Sequence, residues 1–219
     1  MNLWIKICGN TSLEDALLAA NAGADAVGFI FAPSPRRVTV DQVAEITPHL
    51  PTTLEKIGVF VDASIDEIVS TIRASSLTGV QLHSQSGPQT PAQLRAEFGP
   101  AFRILRVVHF GPQAAEQAKA FAADPNTGAI LVDSRTATAV GGTGITFDWN
   151  AARKALFGPN SNTKLIAAGG LNPANVAEAI ATLHPWGVDV VSGVEAAPGR
   201  KDPAKVRAFI VNARATDRE

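Results

Sequence analysis

Cys8, Asp133 and the pair Arg36–Arg37 carry the reactive chemistry of this chain, and each sits at or just past the end of a short apolar run. Cys8 closes the run Leu3 to Cys8. A lone thiol there has two readings. It is a small buried hydrophobe, or it is a thiolate base or nucleophile, which requires positive potential and some access. Lys6 shares a strand face with Cys8 by the two-residue period. It either supplies that potential or forms an ion pair inside the fold, and the ion pair is the expected role. Asp133 ends the run Ala129 to Asp133. A carboxyl group there loses water, which favours its protonated form and suits it to act as a general acid near neutral pH. The alternative is an Asp that caps the following loop. Arg36 and Arg37 follow the run Ala26 to Phe31. A guanidinium grips a carboxylate or phosphate through two parallel N–H groups. Neighbouring side chains of an extended loop diverge, so one of the two arginines faces the site and the other faces water.

Two glycine-bearing turns add anion chemistry: Ala168-Gly169-Gly170-Leu171-Asn172 and Ser192-Gly193-Val194-Glu195. Free backbone N–H groups at such turns bind phosphate. Gly141-Gly142-Thr143-Gly144 reads as a lid element or a plain surface loop. His83 is expected to support the site from behind, and His109 to lie in a solvated loop. Neither belongs to a spacing that ligates metal, so no metal site is expected. Cys8 is the single cysteine, which excludes an intrachain disulfide and a cysteine-based zinc cluster.

The elements that must hold these groups alternate between two textures. Eight short β-branched runs read as strands: Leu3 to Cys8, Ala26 to Phe31, Lys56 to Val61, Gly79 to His83, Arg103 to Val108, Ala129 to Asp133, Lys164 to Ala168 and Val188 to Ser192. Between them lie Ala-rich stretches with helical spacing, such as Leu13, Ala16, Leu17 and Ala20. Continuous apolar runs fit strands buried on both faces. A period of about 27 residues leaves room for one strand and one helix per unit. Glycines at Gly23, Gly79, Gly128 and Gly187 are expected to close helices before the next strand. Ser12, Asn172 and the box Ser64-Ile65-Asp66-Glu67 are expected to open helices. The pattern predicts an α/β protein with a (β/α)8 TIM barrel, whose chemistry lies at the C-terminal ends of the strands. An open doubly wound sheet would need a glycine-rich turn after its first strand, and Cys8-Gly9-Asn10-Thr11 does not fit. Residues 1–219 read as one domain, with a frayed tail from Ala213 to Glu219.

The 219 residues carry 19 Lys plus Arg against 20 Asp plus Glu, a net charge of −1. So even a balance offers no global attraction to nucleic acid or anionic membranes. No apolar run approaches the roughly 20 residues needed to cross a bilayer. The first residues lack a signal-peptide pattern, so a cytoplasmic protein is expected.

The motifs together resemble the phosphoribosylanthranilate isomerase family of tryptophan biosynthesis. The resemblance runs through Lys6-Ile-Cys-Gly9, Gly23-Ala-Asp-Ala-Val-Gly-Phe-Ile-Phe31, Ser34-Pro-Arg-Arg-Val-Thr39, Gly58-Val-Phe-Val61, Val80-Gln-Leu-His83 and Leu131-Val-Asp133. It continues through Gly141 to Gly144, Phe147-Asp-Trp149, Ala168-Gly-Gly-Leu-Asn-Pro173, Val190-Val-Ser-Gly-Val-Glu195 and Pro198-Gly-Arg-Lys-Asp202. It implies an Amadori rearrangement of N-(5-phosphoribosyl)anthranilate without cofactor. Cys8 then matches the general base and Asp133 the general acid. Arg36 matches the contact to the anthranilate carboxylate, and Gly169, Gly170, Ser192 and Gly193 match the phosphate turns. The partners implied are a small phosphosugar and other tryptophan-pathway enzymes. Asn10 departs from the aliphatic residue common at its position. Two other readings compete: a different phosphosugar barrel enzyme, such as a metal-dependent epimerase, and a barrel that binds a phosphate ligand without turnover.

Overall fold

The computed structural model describes residues 3–83, 87–134, 148–158 and 163–216. Eight parallel strands close into a barrel: β1 (Trp4–Ile7), β2 (Ala26–Ile30), β3 (Glu55–Phe60), β4 (Gly79–Leu82), β5 (Arg103–His109), β6 (Ala129–Asp133), β7 (Leu165–Ala168) and β8 (Gly187–Val190). Closure comes from β8 pairing with β1, where Lys6 stands level with Asp189. Every apolar run of the sequence becomes one strand. The largest change of extent is at the eighth, which ends at Val190 and leaves Ser192 to open a short 3-10 turn, Ser192–Val194. A two-stranded hairpin, β9 (Glu195–Ala197) with β10 (Arg200–Lys201), follows that turn.

Helices cover the outside: α1 (Leu13–Ala22), α2 (Val40–Ile46), α3 (Ile65–Ser75), α4 (Thr90–Phe98), α5 (Ala114–Ala123), α6 (Trp149–Ala155), α7 (Val176–Leu183) and α8 (Pro203–Thr216). Their starts follow local chemistry. Ser12 accepts the Asp15 N–H to cap α1. At α3 Ser64 and Glu67 each accept the other's backbone N–H, which satisfies two otherwise orphaned donors. Asn172 does not cap α7, which starts four residues later. It accepts the Ala174 N–H instead, while Asn175 accepts the Asn172 N–H, and together they build the turn leading in. Helix α8 runs through Thr216, with Ala213 fully buried and Arg214 bonded to Asp25 at 2.7 Å, so the frayed tail does not begin at Ala213.

Of the helix-closing glycines, only Gly23 stands in the left-handed cap position, at φ 98°. Ser76 and His184 hold that conformation after α3 and α7. Gly79 and Gly187 open strands instead. A Cβ there would meet the Arg103 Cβ at 2.6 Å and the Trp4 carbonyl oxygen at 2.7 Å, so these glycines allow neighbouring strands to approach.

Two apolar layers result. Ile104, Val108, Ile130 and Val132 pack outward against helices. Trp4, Ile57, Leu105, Val107, Leu131 and Ile166 fill the barrel itself. The two-residue alternation then decides which side chains reach the rim from inside. Trp4 leads through Lys6 to Cys8, Leu131 to Asp133, Gln81 to His83, and Val107 to His109.

Candidate active site

Cys8 and Asp133 both reach the C-terminal mouth of the barrel, from strands on different sides of it. Each side chain lies over a glycine. A Cβ at Gly28 on β2 would come within 2.4 Å of the Cys8 sulfur, and one at Gly169 after β7 within 2.6 Å of Asp133 Oδ1. Both groups are buried, Cys8 at 2% and Asp133 at 5% exposure. Burial pushes the Cys8 thiol above its ordinary value. The Lys6 and Lys201 charges pull it down, and Asp189 pushes it up.

Lys6 forms the expected ion pair. Its ammonium is fully buried and donates to Asp189 at 2.8 Å and to Gln81 at 3.0 Å. Asp189 and Gln81 had no role in the sequence reading. Their signal was a polar residue inside an apolar strand run, which must find a partner once both faces of the strand are covered.

Of the two arginines, Arg36 turns inward and Arg37 is exposed. Arg36 donates through Nε and Nη2 to the two carboxylate oxygens of Glu195, both at 2.7 Å. Its Cδ lies where a Cβ on Gly9 would meet it at 2.9 Å, which seats the guanidinium beside the end of β1. Burial opposes the Glu195 charge, but the Arg36 hydrogen bond and the Lys201 and Arg36 charges outweigh it and hold this carboxyl below its usual value. Lys201 completes the support, donating to the Cys8 carbonyl at 2.6 Å, and to the Val191 carbonyl and Glu195 Oε1 at 3.3 Å each. Glu195 and Lys201 stand in the motifs quoted above, yet only the folded hairpin reveals what they hold. Asn10 donates to the Ile7 and Gly28 carbonyls, so an amide fits where an aliphatic side chain is common.

The glycine turns after β7 and β8 meet each other. Gly169 and Gly170 are consecutive left-handed residues, at φ 83° and 67°. A Cβ on Gly193 would lie 1.9 Å from the Leu171 carbonyl oxygen. Among the described residues, the N–H groups of Gly169, Gly170 and Gly193 donate to no backbone carbonyl. That leaves donors for an anion. Gly193→Ala is expected to lower stability by about 1–3 kcal/mol, since backbone rather than a mobile side chain must yield. Thermal unfolding measures this, and an unchanged Tm would mean the two turns separate freely.

His109 ends β5 rather than lying in a solvated loop. It is half-buried, with its ring 5.9 Å from that of His83. Among the described residues, no group of three or more His, Cys, Asp or Glu side chains could hold a metal ion. The segment Gly141 to Gly144 lies outside the described residues.

A thiol, a carboxyl group and a double glycine turn stand together at one rim of a (β/α)8 barrel, the end at which enzymes of this fold carry their sites. Residues 5–212 match the family model described as N-(5'-phosphoribosyl)anthranilate (PRA) isomerase. A protein of Pelobacter propionicus named N-(5'-phosphoribosyl)anthranilate isomerase is 43% identical over 216 residues, covering 98% of this chain and 97% of its own. The crystal structure of phosphoribosyl anthranilate isomerase from Thermotoga maritima superposes with a TM-score of 0.83 at 35% identity, covering 97% of this chain and 99% of its own. A phosphoribosyl anthranilate isomerase in complex with reduced 1-(o-carboxyphenylamino)-1-deoxyribulose 5-phosphate does so at 0.81, with 33% identity and the same coverage. The chain belongs to the N-(5'-phosphoribosyl)anthranilate isomerase family.

Proposed function

We propose that this chain performs the reaction of its family, with Cys8 and Asp133 as its base and acid. It is an aldose–ketose isomerase of tryptophan biosynthesis, converting N-(5-phosphoribosyl)anthranilate to 1-(2-carboxyphenylamino)-1-deoxyribulose 5-phosphate. The observation that carries the residue roles is the convergence of Cys8, Asp133, Arg36 and the two glycine turns on one barrel mouth.

The chemistry asks for two proton transfers. The Asp133 carboxyl gives its proton to the furanose ring oxygen. The bond from C1 to that oxygen breaks as the anthranilate nitrogen lone pair forms an iminium. The Cys8 thiolate then takes the C2 proton, and the electrons of that C–H bond form a C1–C2 double bond and neutralise the nitrogen. The resulting enolamine gains a proton at C1 and loses one from the C2 hydroxyl, leaving the ketone. Carbon is oxidised at C2 and reduced at C1 with no net change, so the steps need no redox partner. Gly169, Gly170, Ser192 and Gly193 bind the phosphate through backbone N–H groups. Arg36 keeps N–H donors beyond those given to Glu195, and these take the anthranilate carboxylate. Anchoring both ends lowers the entropic barrier.

The test is consumption of phosphoribosylanthranilate by the purified chain, followed by fluorescence in the presence of a chelator. Turnover supports the reading, and loss of turnover to the chelator would favour a metal-dependent epimerase-like barrel instead. Arg36→Lys is expected to raise KM about tenfold, because an ammonium cannot satisfy Glu195 and a planar carboxylate together. Arg37→Ala is expected to leave KM unchanged, and equal effects of the two would remove Arg36 from the site. The same reading makes residues 1–219 one domain of a cytoplasmic biosynthetic enzyme. It extends to association with other tryptophan-pathway enzymes, which co-elution with purified partners would support and independent elution would oppose. No helix among the described residues is long and apolar enough to cross a membrane.

A further inference from the structure

Inside the barrel, whose interior also holds the apolar side chains of Ile57, Leu105, Leu131 and Ile166, Lys6 and Asp189 form a fully or nearly buried ion pair. Replacing such a pair with apolar side chains is often neutral or stabilising, so stability alone does not account for it. Its position suggests another use. Cys8, just past the end of β1, is the next inward-facing residue after Lys6. A Cβ at Gly28 would lie 2.4 Å from the Cys8 sulfur and 3.0 Å from the Lys6 Cε, so the two side chains converge in the space this glycine leaves. Asp189 and Gln81 pin the ammonium at 2.8 and 3.0 Å and fix its orientation beneath the sulfur.

We propose that Lys6 is a positioning residue for the Cys8 base: its ammonium, clamped by Asp189 and Gln81, supplies the positive charge that allows the thiol to ionise inside the barrel. The inference rests on the reading of Cys8 as the base. The charged groups around Cys8 are Lys6 on the same strand, Asp189 on β8, Lys201 on β10 and Arg36 after β2. Arg36 and Lys201 are engaged by Glu195, and Lys201 points at the Cys8 carbonyl rather than its sulfur. Burial raises the thiol, and the Lys6 charge is the largest influence working the other way, with Asp189 partly undoing it. Gly28 and Asp189 thus acquire roles too. One admits the ammonium beside the sulfur, and the other limits how far it favours the thiolate.

The experiment is a pH titration of thiolate ultraviolet absorbance on the full chain, with Cys8→Ser as the blank. One cysteine and no tyrosine make the signal that of a single group. Lys6→Met keeps the aliphatic stem and removes the charge. Its midpoint is expected to rise by about one pH unit or more. Asp189→Asn removes the opposing carboxylate, and its midpoint is expected to fall. Lys6→Met with Asp189→Leu avoids a stranded buried carboxylate, and its midpoint is expected to lie above that of the unsubstituted chain. Circular dichroism confirms that each variant is folded. An unmoved midpoint in the folded double variant, or shifts of the same sign in Lys6→Met and Asp189→Asn, would overturn the proposal. Shifts as expected with full isomerase activity in Cys8→Ser would instead remove Cys8 as the base, which keeps the two failures apart.

Discussion

Cys8→Ser is expected to lower kcat by about 10²–10⁴-fold, the ordinary worth of a general base, with KM changed much less. The serine hydroxyl is almost the same size as the thiol but ionises far less readily, so the base is lost while the packing is kept. Cys8 is buried at the end of β1, where its backbone N–H pairs with the Val190 carbonyl at 2.9 Å and its carbonyl accepts from Lys201. Neither bond involves the sulfur, so the barrel closure survives the exchange. The split between kcat and KM matters because the proposed grips on phosphate and carboxylate, the glycine turns and Arg36, are left intact. Steady-state kinetics with a circular dichroism check of folding measures it. Full activity in folded Cys8→Ser would leave the reaction without this base.

Asp133→Asn is expected to cost a similar 10²–10⁴-fold in kcat. The amide has the shape of the carboxyl group but cannot deliver the proton that opens the ring. Asp133 Oδ1 lies against Gly169, in the same corner as the phosphate turn. Loss of phosphate binding must therefore be separated from loss of the acid, and a KM near that of the parent does so. The pH dependence adds a second readout. In Asp133→Asn the Cys8 thiol still titrates. Burial puts that thiol above its usual 9.0, and the proposed base is its ionised form. Residual kcat/KM is then expected to rise about tenfold per pH unit through neutrality. A residual rate that is flat in pH would disconnect it from Cys8.

The folded chain explains why some groups were legible before folding and others were not. Cys8 and Asp133 end apolar runs, and period-two alternation carries both to the inner face of the barrel. The glycine turns were equally visible, because Gly169 and Gly170 must adopt left-handed backbone and Gly193 must lie against Leu171. The tail was less so. Ala213 looks like the start of a polar end, yet the groove it fills is made by residues far away in sequence, with Arg214 reaching Asp25 on the other side. The glycines that open β4 and β8 misled for a related reason. Their missing side chains answer to the strand beside them rather than to the helix behind.

By itself, the sequence determined the strand count, the alternation of strand and helix, and the residues at the strand ends, since these follow from local periodicity and steric rules that act over a few residues. The tertiary structure alone decided which arginine turns inward, that Glu195 and Lys201 hold the end of β1, and that Asp189 and Gln81 anchor Lys6 beneath Cys8. Those partners lie 159, 193, 183 and 75 residues apart along the chain. Closing β8 onto β1 brings the first residues of the barrel against the last, and a buried charge then takes the partner that packing places within reach.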